Sequence, residues 1–90
     1  MKISPFSRFI VEDNSMIPVF YPGDHVLTFN WVVPKENDVV VFGKETKLFI
    51  KRIKKISAIG FLCIGDNRKH SKTNYRVNLE EIVGKVIFKY

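Results

Sequence analysis

The fold of this 90-residue chain is decided by Val39-Val40-Val41-Phe42-Gly43-Lys44-Glu45-Thr46-Lys47-Leu48-Phe49-Ile50-Lys51-Arg52-Ile53. The first four residues form a continuous apolar run, which is typical of a strand that is buried on both faces. Residues 43–46 combine a glycine with polar side chains, and this pattern indicates a hairpin connection into a second strand over residues 48–53. The stretch therefore predicts two neighbouring β-strands.

Turn signals and short apolar runs continue on both sides of this hairpin. Tyr21-Pro22-Gly23-Asp24 and residues 34–38 are strong turn signals. Further strands are predicted at residues 8–11, 25–29, 61–64 and 80–88, with a polar loop at 68–76. A single turn near residues 16–20 is the one helix candidate, and Pro18 limits it. The pattern predicts one all-β domain over residues 1–90, built as a small, partly open barrel or sandwich of short, mostly antiparallel strands.

The composition excludes several classes of site. Hydrophobic residues make up 46% of the chain, which suits one packed core. A single cysteine, Cys63, cannot form an internal disulfide. The two histidines, His25 and His70, have no metal-ligand spacing relative to it. We therefore expect neither a metal site nor a cofactor.

The net charge of +6 is compatible with nucleic acid, with an anionic membrane surface or with a solvated basic face. No stretch approaches the roughly 20 apolar residues that span a bilayer. The N-terminus lacks the apolar region of a secretory signal, so a cytoplasmic protein is expected. Peripheral membrane contact through Pro5, Phe6, Phe9 and Ile10 is an alternative, but packing in the core or at its edge is favoured.

Two residues suggest chemistry without establishing it. Ser15 precedes Pro18 on a short segment that is expected to be exposed, where a serine is usually a turn former or a helix cap. Strand alternation places Lys51 on the same face as Phe49 and Ile53. Burial there would lower the pKa of the amine and make it a general base, whereas an edge-strand lysine would instead extend its amine to solvent.

A series of short segments, in order along the chain, resembles the signal peptidase I family of serine peptidases, which includes shorter soluble maturation peptidases. These segments are Ser15-Met16-x-Pro18, Gly23-Asp24-x-Val26, Asp38-Val39-Val40-Val41-Phe42, Ile50-Lys51-Arg52, Gly65-Asp66-Asn67-x-x-x-Ser71 and Gly84-Lys85-Val86. No single segment is decisive. Their order and spacing over nearly the whole chain make the resemblance strong.

The resemblance implies a Ser-Lys dyad. Ser15 would be the nucleophile and Lys51 the base that takes its proton. Ser71 resembles the hydroxyl that orients the lysine, and Asp66 resembles a carboxylate that holds its loop and basic partners in place. The implied activity is that of a serine endopeptidase whose partner is a protein or peptide, such as a propeptide or signal-like peptide cut after a small residue. Three apolar residues near the nucleophile are expected to shape shallow substrate pockets or to belong to the core: Met16, Ile17 and Val39.

Two departures from the family pattern affect this prediction. The backbone N–H of Ser15 is the candidate oxyanion donor, and the family commonly has Gly, Ser or Thr two residues before the nucleophile. Asp13 stands there in this chain. Its carboxylate would repel an oxyanion, so we expect Asp13 to turn away or the activity to be low. After Ser71, the chain reads Lys72-Thr73-Asn74-Tyr75-Arg76 where the family usually continues with an Asp-Ser-Arg group.

Three other functions remain as alternatives. Self-cleaving repressor tails share the dyad and a related fold, but they need an attached DNA-binding segment and a cleavable loop. A small basic β-barrel could bind single-stranded nucleic acid by stacking bases on Phe29, Trp31 and Tyr75, although this partner is disfavoured because the ordered motifs would then be coincidence. A degenerate peptidase fold retained for binding is the third alternative.

Overall fold

The structure is a computed structural model that describes residues 3–69 and 73–90. It contains seven strands and a short 3-10 helix, Leu79–Glu81. The strands are β1 (Phe6–Ile10), β2 (His25–Phe29), β3 (Val39–Lys44), β4 (Lys47–Ser57), β5 (Gly60–Ile64), β6 (Tyr75–Val77) and β7 (Ile82–Lys89). They form one sheet in the order β1-β2-β7-β3-β4-β5-β6, and every neighbouring pair is antiparallel. The predicted all-β class is confirmed.

The predicted hairpin joins β3 to β4. Val40 pairs with Lys51, and the register continues to Lys44 and Lys47 at the turn. Glu45 has a φ of 57° there, in the left-handed region that tight turns use. β4 continues to Ser57, beyond the predicted strand, because its outer half pairs with β5.

The polar loop predicted at residues 68–76 overlaps β6. This strand has only three residues and pairs with β5, so that Cys63 lies opposite Tyr75 and Phe61 opposite Val77. A run this short carries no clear alternation in the sequence. The helix candidate at residues 16–20 is a hydrogen-bonded turn and not a helix: Val19 and Phe20 both donate to the carbonyl oxygen of Met16, and the turn contains the cis Ile17–Pro18 peptide bond.

Strand β3 separates two apolar clusters. Val40 and Phe42 lie in the first, with Ile53, Phe61, Cys63, Val77 and Ile82. Val39 lies in the second, with Val11, Met16, Phe20 and Val26. Neighbouring residues of β3 enter different clusters because strand side chains alternate between faces. This burial on both faces explains why residues 39–42 are apolar without interruption.

The apolar N-terminal residues divide between core and surface. Phe9 packs against the second cluster, whereas Phe6 and Ile10 are 48% and 57% exposed. The expectation that all of them pack in the core or at its edge is therefore met only in part. No helix in the described ranges is long and apolar enough to cross a membrane.

Candidate active site

Ser15 lies in the turn segment between β1 and β2. Its side chain is buried, with a residue exposure of 3%, although the preceding residues 12–14 are exposed. The next residue, Met16, is completely buried in the second apolar cluster and anchors the segment. The prediction of an exposed serine is therefore wrong. Ser15 directly precedes Met16, which packs in the second apolar cluster, and Ser15 is buried along with it.

The loop after β5 holds the Ser15 segment in place. The backbone N–H of Asn67 donates to the carbonyl oxygen of Ser15 over 2.8 Å. The Asn67 side-chain Nδ2 donates to the carbonyl oxygen of Asn14 over 2.9 Å. The backbone N–H of Asp66 also lies 3.4 Å from the Met16 sulfur, which accepts a weak hydrogen bond. Three consecutive residues, 14–16, are thus fixed against one loop.

The same loop is tied to β4 through Arg52. Its guanidinium donates from Nε to Oδ1 of Asp66 and from Nη2 to Oδ2, both over 2.8 Å. Nη1 donates to the carbonyl oxygen of Asn37 over 2.7 Å. The hydrogen bond to Asp66 raises the pKa of Arg52 above its ordinary value. Since Arg52 directly follows Lys51, this loop connects the strand that carries Lys51 to the segment that carries Ser15.

Lys51 is buried on the opposite face of β4 from Arg52. The residue is 4% exposed, as the alternation with Phe49 and Ile53 predicts. Its Nζ lies 5.6 Å from the centre of the Tyr75 ring, a cation–π distance. The Tyr75 ring in turn packs against Phe49, with 4.9 Å between the ring centres. The Lys51 amine is therefore shielded from water and lies near an aromatic ring.

Burial lowers the pKa of Lys51 below 10.5, since desolvation disfavours the ammonium form. The negative charge of Asp13 opposes this effect, and the positive charge of Arg68 adds to it. These electrostatic effects place Lys51 in the same charged neighbourhood as the segment before Ser15. A buried amine with a lowered pKa loses its proton more readily than an ordinary lysine, and this favours a role as a general base.

The geometry around the Ser15 hydroxyl and N–H differs from the expectation in two ways. The Oγ atom is buried and makes no hydrogen bond to any described residue, so the direct Ser15–Lys51 bond that the implied dyad calls for is not formed. The backbone N–H of Ser15 donates to Oδ1 of Asp13 over 3.0 Å. Asp13 therefore does not turn away. Its carboxylate occupies the candidate oxyanion donor, because a side chain two residues upstream accepts this N–H without strain.

The residues expected to shape substrate pockets differ in their exposure. Met16 and Val39 are 0% and 8% exposed and belong to the second cluster. Ile17 is half-buried. Of Met16, Ile17 and Val39, Ile17 is therefore the most exposed. Ser71, the predicted orienting residue, lies outside the described residues.

A groove runs beside the Ser15 segment. It is lined by β1 and the residues after it, including Asp13, and across from them by residues 46–50 at the β3–β4 hairpin. Neither Ser15 nor Lys51 belongs to its lining. Asp13 is therefore bonded to Ser15 and also borders the groove.

Sequence reasoning missed two contributors. Asn67 belongs to the Gly65-Asp66-Asn67 segment, but its bonds to residues 14 and 15 depend on a fold that brings distant loops together. Tyr75 was recognised as a departure, and only the pairing of β6 with β5 brings its ring to Lys51. In the ranges that the structure covers, no cluster of three or more His, Cys, Asp or Glu side chains could hold a metal ion.

A family model described as Peptidase S24-like matches residues 8–87. The matched span includes Ser15, Lys51, the Asp66 loop and Gly84. No curated protein gives a significant match.

Proposed function

The chain belongs to the Peptidase S24-like family, and on that premise we propose that it is a serine endopeptidase with Ser15 as nucleophile and Lys51 as general base. The observation that carries the proposal is the burial of Lys51, which lowers the pKa of its amine. Burying a charged lysine lowers the stability of the folded chain, and it also makes the neutral amine, which can act as a base, easier to form.

In the proposed reaction, the neutral Lys51 amine takes the proton of the Ser15 hydroxyl as Oγ attacks the carbonyl carbon of a peptide bond. The carbonyl π electrons move to its oxygen, and the resulting oxyanion accepts a hydrogen bond from the Ser15 N–H. When the C=O bond forms again, the C–N bond breaks. The Lys51 ammonium then gives its proton to the departing nitrogen, which leaves an ester on Ser15.

Water completes the cycle. It attacks the ester carbon while Lys51 takes one of its protons, and collapse of the second oxyanion releases the carboxylic acid product. The Ser15 oxygen regains its proton from Lys51. Catalytic hydrogen bonds are often unformed until substrate binds, so the absence of a Ser15–Lys51 bond in the free chain is compatible with this cycle.

The proposed substrate is a propeptide or signal-like peptide that is cut after a small residue. This part of the proposal rests on the likeness to signal peptidase I. It is also supported by the burial of Ser15, which is only 3% exposed, because a small substrate side chain fits more easily beside a buried nucleophile. In this proposal half-buried Ile17 limits the size of the substrate side chain.

Peptide cleavage tests the proposal. Wild type is incubated with a mixture of peptides that carry Ala, Gly or Ser before the cut, and products are identified by mass spectrometry. Ser15→Ala and Lys51→Met are compared with Ser57→Ala and Lys54→Met, which alter exposed residues at the outer end of β4. We expect cleavage by wild type and both controls, and none by the two dyad variants. Equal cleavage by Lys51→Met and wild type would contradict the proposal.

A second candidate function is a non-catalytic family member that binds peptides. It is favoured by the Asp13 carboxylate on the Ser15 N–H and by the burial of Oγ. Binding of the same peptides without cleavage, unchanged in Ser15→Ala, would support this candidate instead.

A further inference from the structure

Asp13 accepts a hydrogen bond from the Ser15 N–H, the backbone donor that stabilises the oxyanion in the proposed reaction. We propose that Asp13 is a positioning residue that holds the site in a resting state, because its carboxylate occupies the Ser15 N–H that an oxyanion must use. This inference rests on the proposed function. It predicts a peptidase whose reactivity is restrained by its own chain and rises when the Asp13 carboxylate is removed.

The first step is the competition for one hydrogen atom. The Ser15 N–H donates to Oδ1 of Asp13 over 3.0 Å, a normal length for a bond from a backbone amide to a carboxylate. An oxyanion at Ser15 would need the same N–H and would carry the same sign of charge as Asp13. Two anions that accept from the same N–H are close enough to repel each other. The carboxylate must therefore leave before the transition state forms.

The second step concerns the base. The negative charge of Asp13 acts on Lys51 in the direction that favours the ammonium form, against burial and against the positive charge of Arg68. An ammonium cannot accept the Ser15 proton. Asp13 therefore disfavours both halves of the reaction, the oxyanion and the neutral base.

The third step is that solvent can receive the Asp13 carboxylate when it leaves the Ser15 N–H. Its residue is exposed and borders the groove, so a released carboxylate can be solvated. Ser15 would keep its position, because its carbonyl remains bonded to Asn67 and Met16 remains buried. The restraint thus acts on the N–H without being part of the packing that supports the segment.

The test is the rate at which a small fluorophosphonate labels Ser15. The Ser15 oxygen attacks phosphorus, fluoride leaves, and the proton passes to Lys51. Wild type is compared with Asp13→Asn, which keeps an acceptor without the charge, and with Asp13→Gly, which removes both. Glu45→Gln makes the same acid-to-amide change at the β3–β4 hairpin turn, where Glu45 is exposed.

We expect the maximal labelling rate to rise about tenfold or more in Asp13→Gly and by a smaller factor in Asp13→Asn, with Glu45→Gln unchanged. The pH profile should also move to lower pH in both Asp13 variants, a change that a merely structural role would not produce. Label that appears in Asp13→Gly and disappears in Asp13→Gly/Ser15→Ala would support both proposals.

Two results would contradict the inference, and they differ in what they say of the proposed function. Labelling of wild type at Ser15, with equal or slower labelling of both Asp13 variants, would overturn the resting-state role alone. No labelling at Ser15 in wild type or in either Asp13 variant would overturn the proposed peptidase as well.

Discussion

Asp66 accepts two hydrogen bonds from Arg52, each 2.8 Å long, with both carboxylate oxygens engaged by one guanidinium. This pair is more than a surface ion pair, because the Asp66 side chain is only 16% exposed and its loop also bonds to the Ser15 segment. A paired guanidinium and carboxylate fix each other in a plane. The Arg52–Asp66 pair therefore positions the loop whose Asn67 N–H donates to the Ser15 carbonyl oxygen.

Breaking this pair should lower both stability and reactivity. We expect Asp66→Asn to reduce the free energy of unfolding by about 1–2 kcal/mol and to slow the labelling of Ser15, since the loop loses its anchor on β4. Urea unfolding and labelling rates measure the two effects. Lys85→Met is the control, because it removes the longer, more exposed pair between Lys85 and Asp38, at 3.6 Å. Equal effects of both substitutions would contradict the anchoring role.

Tyr75 should keep the pKa of Lys51 from falling further. Its ring lies 5.6 Å from the amine and favours the ammonium form. We expect Tyr75→Leu to move the pH profile of Ser15 labelling to lower pH by roughly half a unit to one unit. Tyr75→Phe keeps the ring and should leave the profile in place. A shift of equal size in both variants would show that the ring is not responsible.

The fold and site were predictable to different extents. The β3–β4 hairpin and the buried face of Lys51 follow from local alternation, which a sequence displays directly. The hydrogen bonds from Asn67 to Asn14 and Ser15 join residues that are far apart in sequence. Strand β6 has only three residues, too few to show an alternating pattern. The hydrogen bond from Ser15 to Asp13 is local, but the sequence does not show which way the Asp13 side chain turns. Packing, rather than propensity, decides these features.

Gly84 should not tolerate a side chain. A Cβ there would collide with the Asn30 side-chain oxygen and would lie 2.9 Å from the carbonyl oxygen of Phe29. Asn30 is buried and accepts a hydrogen bond from Thr28, so it cannot move easily. We expect Gly84→Ala to destabilise the domain by about 2 kcal/mol or more.

Gly43→Ala is the matched control for this substitution. A Cβ at Gly43 would meet the Leu48 side chain at 3.6 Å, an ordinary contact distance. Urea unfolding of both variants gives the comparison. Similar stability losses would show that glycine in these strands is required for a reason other than the approach of Asn30.

Lys51 should make stability depend on pH. Its pKa is lowered below 10.5 in the folded chain, so between the lowered value and 10.5 the unfolded chain binds more protons. The free energy of unfolding therefore rises with pH through that window. Lys51→Met lacks this contribution, so we expect wild type to gain stability relative to the variant as the pH is raised. Exposed Lys54 serves as the control, and Lys54→Met should follow wild type. A difference between wild type and Lys51→Met that is constant with pH would contradict the lowered pKa.

The Ser15–Lys51 dyad is tested most directly by the pH dependence of fluorophosphonate labelling, with the labelled residue identified by mass spectrometry. We expect the label on Ser15 of wild type, with a rate that rises through an apparent pKa below 10.5 as Lys51 loses its proton. Lys54→Met should behave as wild type, and Lys51→Met should lose the labelling. A Lys51→Met variant that is labelled at Ser15 with the rate and pH profile of wild type would contradict the dyad.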